Sequence, residues 1–239
     1  MVKRTAAISQ AKRILIVDDH AIVRLGMRQM IAAEPDLAIC CEAETGEEAL
    51  AKALNGKPDL AIVDLSLGTM HGLELVRQLH QALPDMPVLV LSMHDEALFA
   101  ERALRAGARG YMTKKGAIEG LIHAVRHVLA GKIYASEAVS QQVLASLQHG
   151  TAVPDGPVAG LTDREIQVFE LIGRGLSTAG IADQLGVSVK TIETYRSNIK
   201  TKLNLRDAAA LVRYATSWIE RLGLRVKPVA VWFAYPSSA

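Results

Sequence analysis

The sequence has few cysteines and no long apolar run, and these absences exclude several classes of protein. Only two cysteines occur in 239 residues, the adjacent pair Cys40 and Cys41, so the chain has no disulfide framework and no cysteine spacing typical of zinc sites. No uninterrupted apolar stretch approaches the ~20 residues of a membrane-spanning helix. Residues 1–10 are polar and do not resemble a signal peptide. We therefore expect a soluble cytoplasmic protein with no membrane partner.

Charge is divided unevenly along the chain. Residues 158–239 contain eleven Lys and Arg against seven Asp and Glu, whereas residues 1–157 contain sixteen against eighteen. The C-terminal third is thus the basic part, which is compatible with nucleic acid as a partner without requiring it. A chain of this length, half hydrophobic in composition, fills one large or two ordinary domains, and two is the better expectation.

The first half of the chain alternates short apolar runs with amphipathic stretches. This pattern predicts five strand–helix units, and hence a doubly wound, five-stranded parallel sheet with helices on both faces. The predicted strands are 13–17, 37–43, 59–64, 86–92 and 109–112, and the predicted helices are 20–33, 45–55, 72–83, 95–106 and 116–131.

Carboxylates follow two of these strands. Asp64 ends the third strand, and the pair Asp18 and Asp19 follows the first, so in a parallel sheet all three meet at one edge. Two like charges about 4 Å apart repel by about 4 kcal/mol at an effective dielectric constant of about 20, so the group needs a cation or a proton. Oxygen-only ligands open to water suit Mg²⁺ better than zinc.

A hydroxyl and an ammonium are predicted at the same edge. Ser92 ends the fourth strand, and Tyr111 and then Lys114 come with the fifth. Each has a simpler interpretation, since Ser92 could cap the next helix and Lys114 could be a solvated charge. The ordered combination of all five side chains carries more weight than any one of them.

The stretch from Arg13 to Gly131 resembles the receiver domain of two-component response regulators, of the flavodoxin-like fold. The matching segments are Ile-Leu-Ile-Val-Asp-Asp-His at 14–20, Ala-Ile-Val-Asp-Leu at 61–65, Val-Leu-Ser at 90–92 and Gly-Tyr-Met-Thr-Lys at 110–114. The resemblance implies that Asp64 accepts a phosphoryl group from a sensor histidine kinase. It also implies that Asp18, Asp19, Asp64 and the backbone carbonyl of Ser66 hold Mg²⁺, and that Lys114, Ser92 and Tyr111 bind the phosphoryl group and switch the domain.

The C-terminal part is predicted to be all-helical. Residues 136–148 predict a short connector helix, and a Gly- and Pro-containing tether follows. Thr162 and Glu165 form a capping-box pattern, and helices are expected near 177–185, 188–203 and 207–222. A helix, a glycine-containing turn and a second helix is the arrangement in which the second helix reads DNA.

The helix 188–203 is the candidate DNA-reading helix. Its apolar side, with Val189, Ile192, Ile199 and Leu203, is expected to face the core. Basic residues would contact phosphates, and short polar residues would contact base edges. A solvated amphipathic helix would have a similar pattern. The predicted DNA-binding residues are Lys190, Thr191, Glu193, Thr194, Arg196, Ser197, Lys200 and Lys202.

Residues 161–165, 175–182 and 189–196, with Lys202 and Leu203, resemble the LuxR-type helix-turn-helix, and the whole chain resembles a NarL/FixJ-family response regulator. The expected domains are a receiver at 12–131, a linker with a short helix at 132–160, the helix-turn-helix domain at 161–222 and a tail of unknown role at 223–239. The last helix of such a domain contributes to dimerisation, although packing within the domain explains some of its apolar residues more simply.

The resulting hypothesis is a transcriptional regulator of a two-component system that binds DNA when it is phosphorylated, and that is not an enzyme. Its expected partners are a sensor histidine kinase, double-stranded DNA, RNA polymerase and a second copy of the chain. Two alternatives remain open: a receiver-type regulator that works without phosphorylation, and a Mg²⁺-dependent phosphohydrolase with Asp64 as nucleophile.

Overall fold

The computed structural model describes residues 11–67, 70–93, 96–137, 139–141 and 157–221. The chain divides into two compact units, Met1–Pro154 and Asp155–Ala239. The predicted tail at 223–239 and most of the predicted linker lie outside the described residues. Within the described part, no helix is long and apolar enough to cross a membrane.

The N-terminal unit alternates strands and helices as predicted. Its elements are β1 (Lys12–Val17), α1 (Ala21–Ala32), β2 (Leu37–Ala43), α2 (Gly46–Gly56), β3 (Leu60–Val63), β4 (Ser66–Leu67), β5 (Met70–His71), α3 (Gly72–Ala82), β6 (Val88–Ser92), α4 (Glu96–Arg105), β7 (Gly110–Thr113) and α5 (Lys114–Leu129). Five strands form one parallel sheet in the order β2-β1-β3-β6-β7. The prediction of a doubly wound, flavodoxin-like fold is confirmed.

The sheet is buried on both faces because its strands are apolar at nearly every position. All four residues of β3 and all five of β6 are buried. On one face, Ile14 and Ile16 of β1 pack with Met27 of α1 and with Leu121 and Val125 of α5. A sheet with both faces covered leaves the loops at its strand ends as the place for polar chemistry.

Two features of this unit were not predicted. β4 and β5 form a two-stranded antiparallel hairpin directly after Asp64, in which Ser66 pairs with His71. Strands of two residues are too short to give an alternating pattern. In addition, α5 begins at Lys114, two residues earlier than predicted, so Lys114 lies in the first turn of the helix after the N-cap residue Thr113.

The C-terminal unit is helical throughout its described residues. A short 3₁₀ turn (Pro157–Gly160) precedes α6 (Asp163–Gly173), α7 (Thr178–Gln184), α8 (Val189–Lys202) and α9 (Ala208–Arg221). The predicted capping box is present, with Thr162 and Glu165 each accepting from the other's backbone N–H. Phe169 of α6 packs on Trp218 of α9 with ring centroids 5.2 Å apart, and a Cβ on Gly173 would lie 2.6 Å from the Ala215 carbonyl oxygen.

The predicted helix bounds in the C-terminal unit agree with the structure to within two residues. Of the predicted connector helix at 136–148, Ser136 is described and not helical, Glu137 and residues 139–141 are helical, and the remaining residues lie outside the described part of the chain. The N-terminal unit therefore contains the parallel strands whose ends carry the candidate receiver residues, and the C-terminal unit contains the helix-turn-helix pair α7 and α8.

Candidate functional site

The first candidate site lies at the carboxyl ends of β1 and β3. The two strands are parallel neighbours, and Val17 is in register with Val63, so the next residues, Asp18 and Asp64, lie side by side. Both carboxylates are almost completely buried, with 1% and 2% of their surface exposed. This edge of the sheet is the one predicted from the sequence.

Four side chains at this edge could hold a metal ion, and we call them the acidic cluster: Asp18, Asp19, His20 and Asp64. One ligand atom from each lies within 4.8 Å of the others. Within the described residues, no other group of three or more His, Cys, Asp or Glu side chains has such an arrangement. Asp19 and His20 are exposed, so the cluster is buried on one side and open on the other.

Lys114 joins the two buried carboxylates. Its Nζ lies 2.6 Å from Asp18 Oδ2 and 2.8 Å from Asp64 Oδ2, and the side chain is only 10% exposed. Burial raises the pKa of the Asp64 carboxyl, the Lys114 ammonium opposes this, and the Asp18 carboxylate adds to it. Burial lowers the pKa of Lys114, but the two carboxylates outweigh burial, so that pKa is raised.

Two buried oxygens of the cluster, Asp18 Oδ2 and Asp64 Oδ1, accept no hydrogen bond among the described residues. Asp18 Oδ2 has the Lys114 ammonium 2.6 Å away as an ion-pair partner, whereas Asp64 Oδ1 has no such cation in the described part of the chain. A buried carboxylate oxygen without a donor is unfavourable, typically by about 1–3 kcal/mol or more for a charged group. Two buried carboxylates against one ammonium also leave negative charge at the site, so the cluster fits a hard cation.

The structure places the other predicted receiver residues around this site. Ser92 ends β6 and is completely buried, and Tyr111 of β7 is 1% exposed and pairs with Val90. Ser66 lies at the start of β4, and a hydrogen bond from its backbone is among the contacts that lower the pKa of Asp64. The structure thus brings Asp18, Asp19, Asp64 and Lys114 together directly and holds Ser92, Tyr111 and Ser66 on the adjoining strands.

Sequence reasoning missed Arg24, whose side chain binds the backbone of Asp18 in the acidic cluster. Its Nη1 donates to the Asp18 carbonyl oxygen at 2.6 Å, and its guanidinium pairs with Glu42 and Glu44 at the end of β2. The side chain is 11% exposed. A basic residue six positions after a carboxylate on an amphipathic helix was the available signal, but the same pattern is common on solvated helix faces.

Gly72 was also missed, and here the geometry requires glycine. A Cβ at this position would lie 2.3 Å from the Asp64 carbonyl oxygen and 2.5 Å from Leu65 Cα. The N–H of Gly72 donates to the Leu65 carbonyl at 2.9 Å. The β4–β5 hairpin can therefore close against the backbone of Asp64 only with glycine at this position.

The second candidate site is the helix-turn-helix of the C-terminal unit. Ser177 caps α7 and Ser188 caps α8, and Gly186 between them has a φ of +62°. Arg164 of α6 donates to the Leu185 carbonyl in this turn at 3.1 Å. Burial lowers the pKa of Arg164, and Tyr195 of α8 opposes this. The turn and α8 are therefore fixed to α6 by side chains as well as by apolar packing.

Most predicted DNA contacts are accessible on α8. Lys190, Glu193, Thr194, Ser197 and Lys202 are exposed, and Thr191, Arg196 and Lys200 are half-buried. Ile192 and Ile199 are completely buried, as predicted for the core side. The prediction for Val189 is wrong: it is 45% exposed, because the first residue of α8 lies ahead of the turn that packs on the core.

Lys202 has an intramolecular partner that the sequence pattern did not indicate. Its Nζ lies 2.6 Å from Glu165 Oε2, and Glu165 is 4% exposed. Burial raises the pKa of Glu165, but its bonds to Lys202 and Thr162 outweigh burial and hold it below the usual range. Part of the positive charge assigned to a DNA phosphate is thus already paired.

Comparison with known proteins finds a family match for each of the two units. Residues 14–126 match the model of the response regulator receiver domain, and residues 159–215 match that of bacterial regulatory proteins of the luxR family. The response regulator GacA of Pseudomonas aeruginosa is 36% identical over 203 residues, which is 85% of this chain and 94% of GacA. The chain is a response regulator of the NarL/FixJ family.

Other relatives are similar over nearly their full length. The oxygen regulatory protein NreC of Staphylococcus epidermidis is 35% identical over 209 residues, 85% of this chain and 96% of NreC. A solved complex of the response regulator RcsB with DNA is 25% identical and superposes with a TM-score of 0.51, covering 87% of this chain and 99% of RcsB. This response regulator therefore combines a receiver with a LuxR-type DNA-binding domain.

Proposed function

We propose that Asp64 is the phosphoacceptor of this response regulator and that a sensor histidine kinase is its donor. The single observation that carries the proposal is the Asp64 carboxylate itself: it is buried beside Asp18, bonded to Lys114 through Oδ2, and without a donor on Oδ1. An oxygen with free lone pairs at a site open on one side is suited to attack phosphorus. The bond from phosphorus to the histidine nitrogen breaks as the new O–P bond forms, and the imidazole leaves with the electron pair.

We propose that Asp18, Asp19, Asp64 and the Ser66 carbonyl hold Mg²⁺. The donor set consists of oxygens, with His20 at the exposed side, and the buried negative charge exceeds that of Lys114. When bound, Mg²⁺ supplies positive charge that reduces the repulsion between the incoming phosphoryl group and the carboxylates. Arg24 acts through the Asp18 backbone, since its hydrogen bond fixes the loop that carries the cluster.

Lys114 then has a second role. Its ammonium already lies between two carboxylates, so a phosphoryl group on Asp64 offers it oxygens of higher charge without moving the helix that carries it. We propose that Ser92 donates to another phosphoryl oxygen and that Tyr111 follows its movement. To shift a two-state domain from about 1:99 to 99:1, the phosphoryl group must favour the active state by about 5.5 kcal/mol.

The phosphoacceptor is tested with Asp64→Asn and a small-molecule phosphodonor. Labelling should be abolished, whereas Asp85→Asn, which changes an exposed carboxylate in the loop before β6, should label like the parent protein. Circular dichroism of both variants checks that they fold. Undiminished labelling of a folded Asp64→Asn protein would place the acceptor elsewhere.

The same experiment with DNA separates the two alternatives. If phosphodonor treatment leaves DNA binding unchanged although Asp64 is labelled, the chain regulates without phosphorylation. Steady turnover of a small phosphorylated compound, lost in Asp64→Asn, would instead support a phosphohydrolase. We propose that neither result is found and that phosphorylation strengthens DNA binding by favouring a dimer. In this dimer α9 of one copy packs against α9 of the other, and the contact includes Val212, which is 40% exposed.

We propose that α8 reads DNA in the major groove, with Lys190, Lys200 and Arg196 towards phosphates. Glu193, Thr194 and Ser197 are the candidates for contacts with base edges, and Thr194 is the one tested below. The Thr194 hydroxyl donates to the Lys190 carbonyl within the helix at 3.0 Å, so it meets a base as an acceptor. In the major groove the matching donors are the amino groups of cytosine and adenine.

A matched threonine makes this testable. Thr201 is exposed on the same helix and makes the same bond to the backbone, to the Ser197 carbonyl at 3.1 Å. Thr194→Ala should change the preferred sequence selected from a random DNA library, and Thr201→Ala should not. Lys200→Ala should weaken binding to every sequence. If Thr194→Ala lowers affinity uniformly, as Lys200→Ala does, Thr194 does not read a base.

A further inference from the structure

The two cysteines of the chain lie at an irregularity in an edge strand. β2 pairs with β1 on one side only, and the register shifts between Ile14, which pairs with Ile39, and Leu15, which pairs with Cys41. Cys40 is therefore the extra residue of a β-bulge. In a regular strand, adjacent side chains point to opposite faces, and a bulge breaks that alternation.

As a result, the two thiols lie close together. Cys40 Sγ is 3.0 Å from Cys41 Sγ, and both residues are half-buried. Cys40 Sγ also lies 3.5 Å from the Ile14 carbonyl oxygen. A Cβ on Gly56, the last residue of α2, would lie 3.7 Å from Cys41 Sγ, in ordinary van der Waals contact. Because the two thiols already lie close together and are half-buried in an edge strand, the pair is preformed and accessible.

A disulfide between these residues would be strained. Adjacent Cα atoms across a trans peptide are about 3.8 Å apart. Disulfides usually join Cα atoms about 4.4–6.8 Å apart. The pair is therefore better suited to an atom that bridges the sulfurs than to a direct bond.

The sulfur separation also selects the geometry of that atom. With bonds of about 2.3 Å, as in zinc thiolates, a tetrahedral centre would hold two sulfurs about 3.7 Å apart and a linear one about 4.6 Å. A pyramidal centre with angles near 90° would hold them about 3.3 Å apart at the same bond length. The observed 3.0 Å is closest to the pyramidal case. No third ligand completes a metal site here, since the acidic cluster is the one such group within the described residues.

We propose that Cys40 and Cys41 form a dithiol site for trivalent arsenic, a thiophilic centre of pyramidal geometry. Two thiols condense with arsenous acid, forming two As–S bonds and breaking two As–O bonds. The two thiol protons leave with the two hydroxyl groups as two molecules of water, and no oxidation state changes.

Protonation affects the rate of this reaction. Burial and the hydrogen bond with Cys40 raise the pKa of the Cys41 thiol to about 12, and the charges of Lys52 and Arg13 only partly oppose this. The thiolate is the attacking form, so binding should be faster at higher pH. The condensation consumes the thiol protons, so a high pKa does not prevent the product from forming.

The site is tested with the reduced full-length protein and phenylarsine oxide. One equivalent should consume both thiols, and the intact mass should increase by one phenylarsine oxide less one water. Cys40→Ser and Cys41→Ser each keep one thiol and should bind at least about 100-fold more weakly, since the second bond is intramolecular. The double variant Ala38→Cys/Cys40→Ser keeps two thiols in β2 without the adjacent pair, and it should behave like the single variants.

A competition experiment needs no variant. 2,3-Dimercaptopropanol should release the arsenical from the parent protein, whereas 2-mercaptoethanol at the same thiol concentration should not. Parent protein that binds no more tightly than the single-cysteine variants would overturn the proposal. So would equal binding by the Ala38→Cys/Cys40→Ser variant, or a loss of two mass units that shows a disulfide formed in place of the adduct.

Discussion

The acidic cluster and the exposed face of α8 are built in opposite ways. The cluster takes its buried charges from Asp18, Asp64 and Lys114, which are far apart in sequence and meet only because β1, β3 and α5 are neighbours. The α8 face takes its charges from consecutive turns of one helix, between Lys190 and Lys202, and most of them are exposed.

This difference determines how each site responds to change. In the cluster, the buried carboxylates of Asp18 and Asp64 share the single ammonium of Lys114, so its removal leaves both of them without a cation. On α8, most charges are at least partly exposed to water, and within the described residues only Lys202 pairs with a buried carboxylate, so a substitution at the other positions mainly affects the partner that binds there. Substitutions in the cluster should therefore mainly change the free energy of unfolding, and substitutions on α8 should mainly change the affinity for DNA.

The largest expected effect is that of Lys114→Met. It leaves Asp18 and Asp64 buried without their cation, and the free energy of unfolding should fall by about 3 kcal/mol at neutral pH. Part of the loss should return in mild acid as a carboxylate takes up a proton. Urea unfolding of this variant and of Lys115→Met, which changes the exposed neighbour, measures the effect. A loss no larger than that of Lys115→Met would show that the cluster does not depend on the ammonium.

The next largest effect should be an opposite pH dependence of the stability contributed by Asp64 in the cluster and by Glu165, the α6 residue that pairs with Lys202 of α8. The pKa of Asp64 is raised in the folded state, so its protonation stabilises the fold at low pH, and that contribution is lost as the pH rises through the folded pKa. The pKa of Glu165 is lowered, so its contribution is present above the unfolded pKa and is lost as the pH falls through the folded pKa.

Peptide-resolved hydrogen exchange of the full chain measures both trends. Asp64→Asn should stabilise β1 and β3 relative to the parent protein by an amount that grows as the pH rises from about 4 towards neutral. Glu165→Gln should destabilise α6 at neutral pH and have less effect in acid. Trends of the same sign in both segments would contradict the comparison.

A smaller effect is expected for Lys202→Ala, which tests whether one residue belongs to both kinds of site. Loss of its pair with Glu165 should lower the free energy of unfolding by no more than about 1 kcal/mol. The effect is small because Lys202 is 38% exposed and solvent screens the pair. Lys200→Ala should leave stability unchanged and reduce the salt dependence of DNA binding by about one unit of slope. If both variants lose only DNA affinity, the ion pair contributes nothing to the fold.

The smallest effect should come from Val189→Ser. Because Val189 is 45% exposed, the change should stay within about 0.5 kcal/mol, as is usual for surface positions. Ile192→Ser, on the buried side of the same helix, should cost about 2 kcal/mol or more. Thermal unfolding of the two variants distinguishes them, and an equal loss would place Val189 in the core after all.

Much of both sites could be predicted from the sequence. Alternation of apolar runs with amphipathic stretches predicted the order of strands and helices, and the position of Asp18, Asp64 and Ser92 at strand ends predicted their common edge. The capping residues Thr162, Ser177 and Ser188 marked the helix starts of the DNA-binding unit correctly. These signals are local, because a cap or a run of apolar residues acts within a few positions of the chain.

What only the tertiary structure decided depends on contacts between distant residues. It paired Lys202 with Glu165, placed Arg24 under the Asp18 backbone, and required glycine at position 72. It also created the bulge that brings Cys40 and Cys41 together. No local pattern specifies such contacts, since burial and charge pairing are set by which elements pack together and in what register. The sequence by itself determined which groups reach each edge or face, and packing determined which of them are already engaged there.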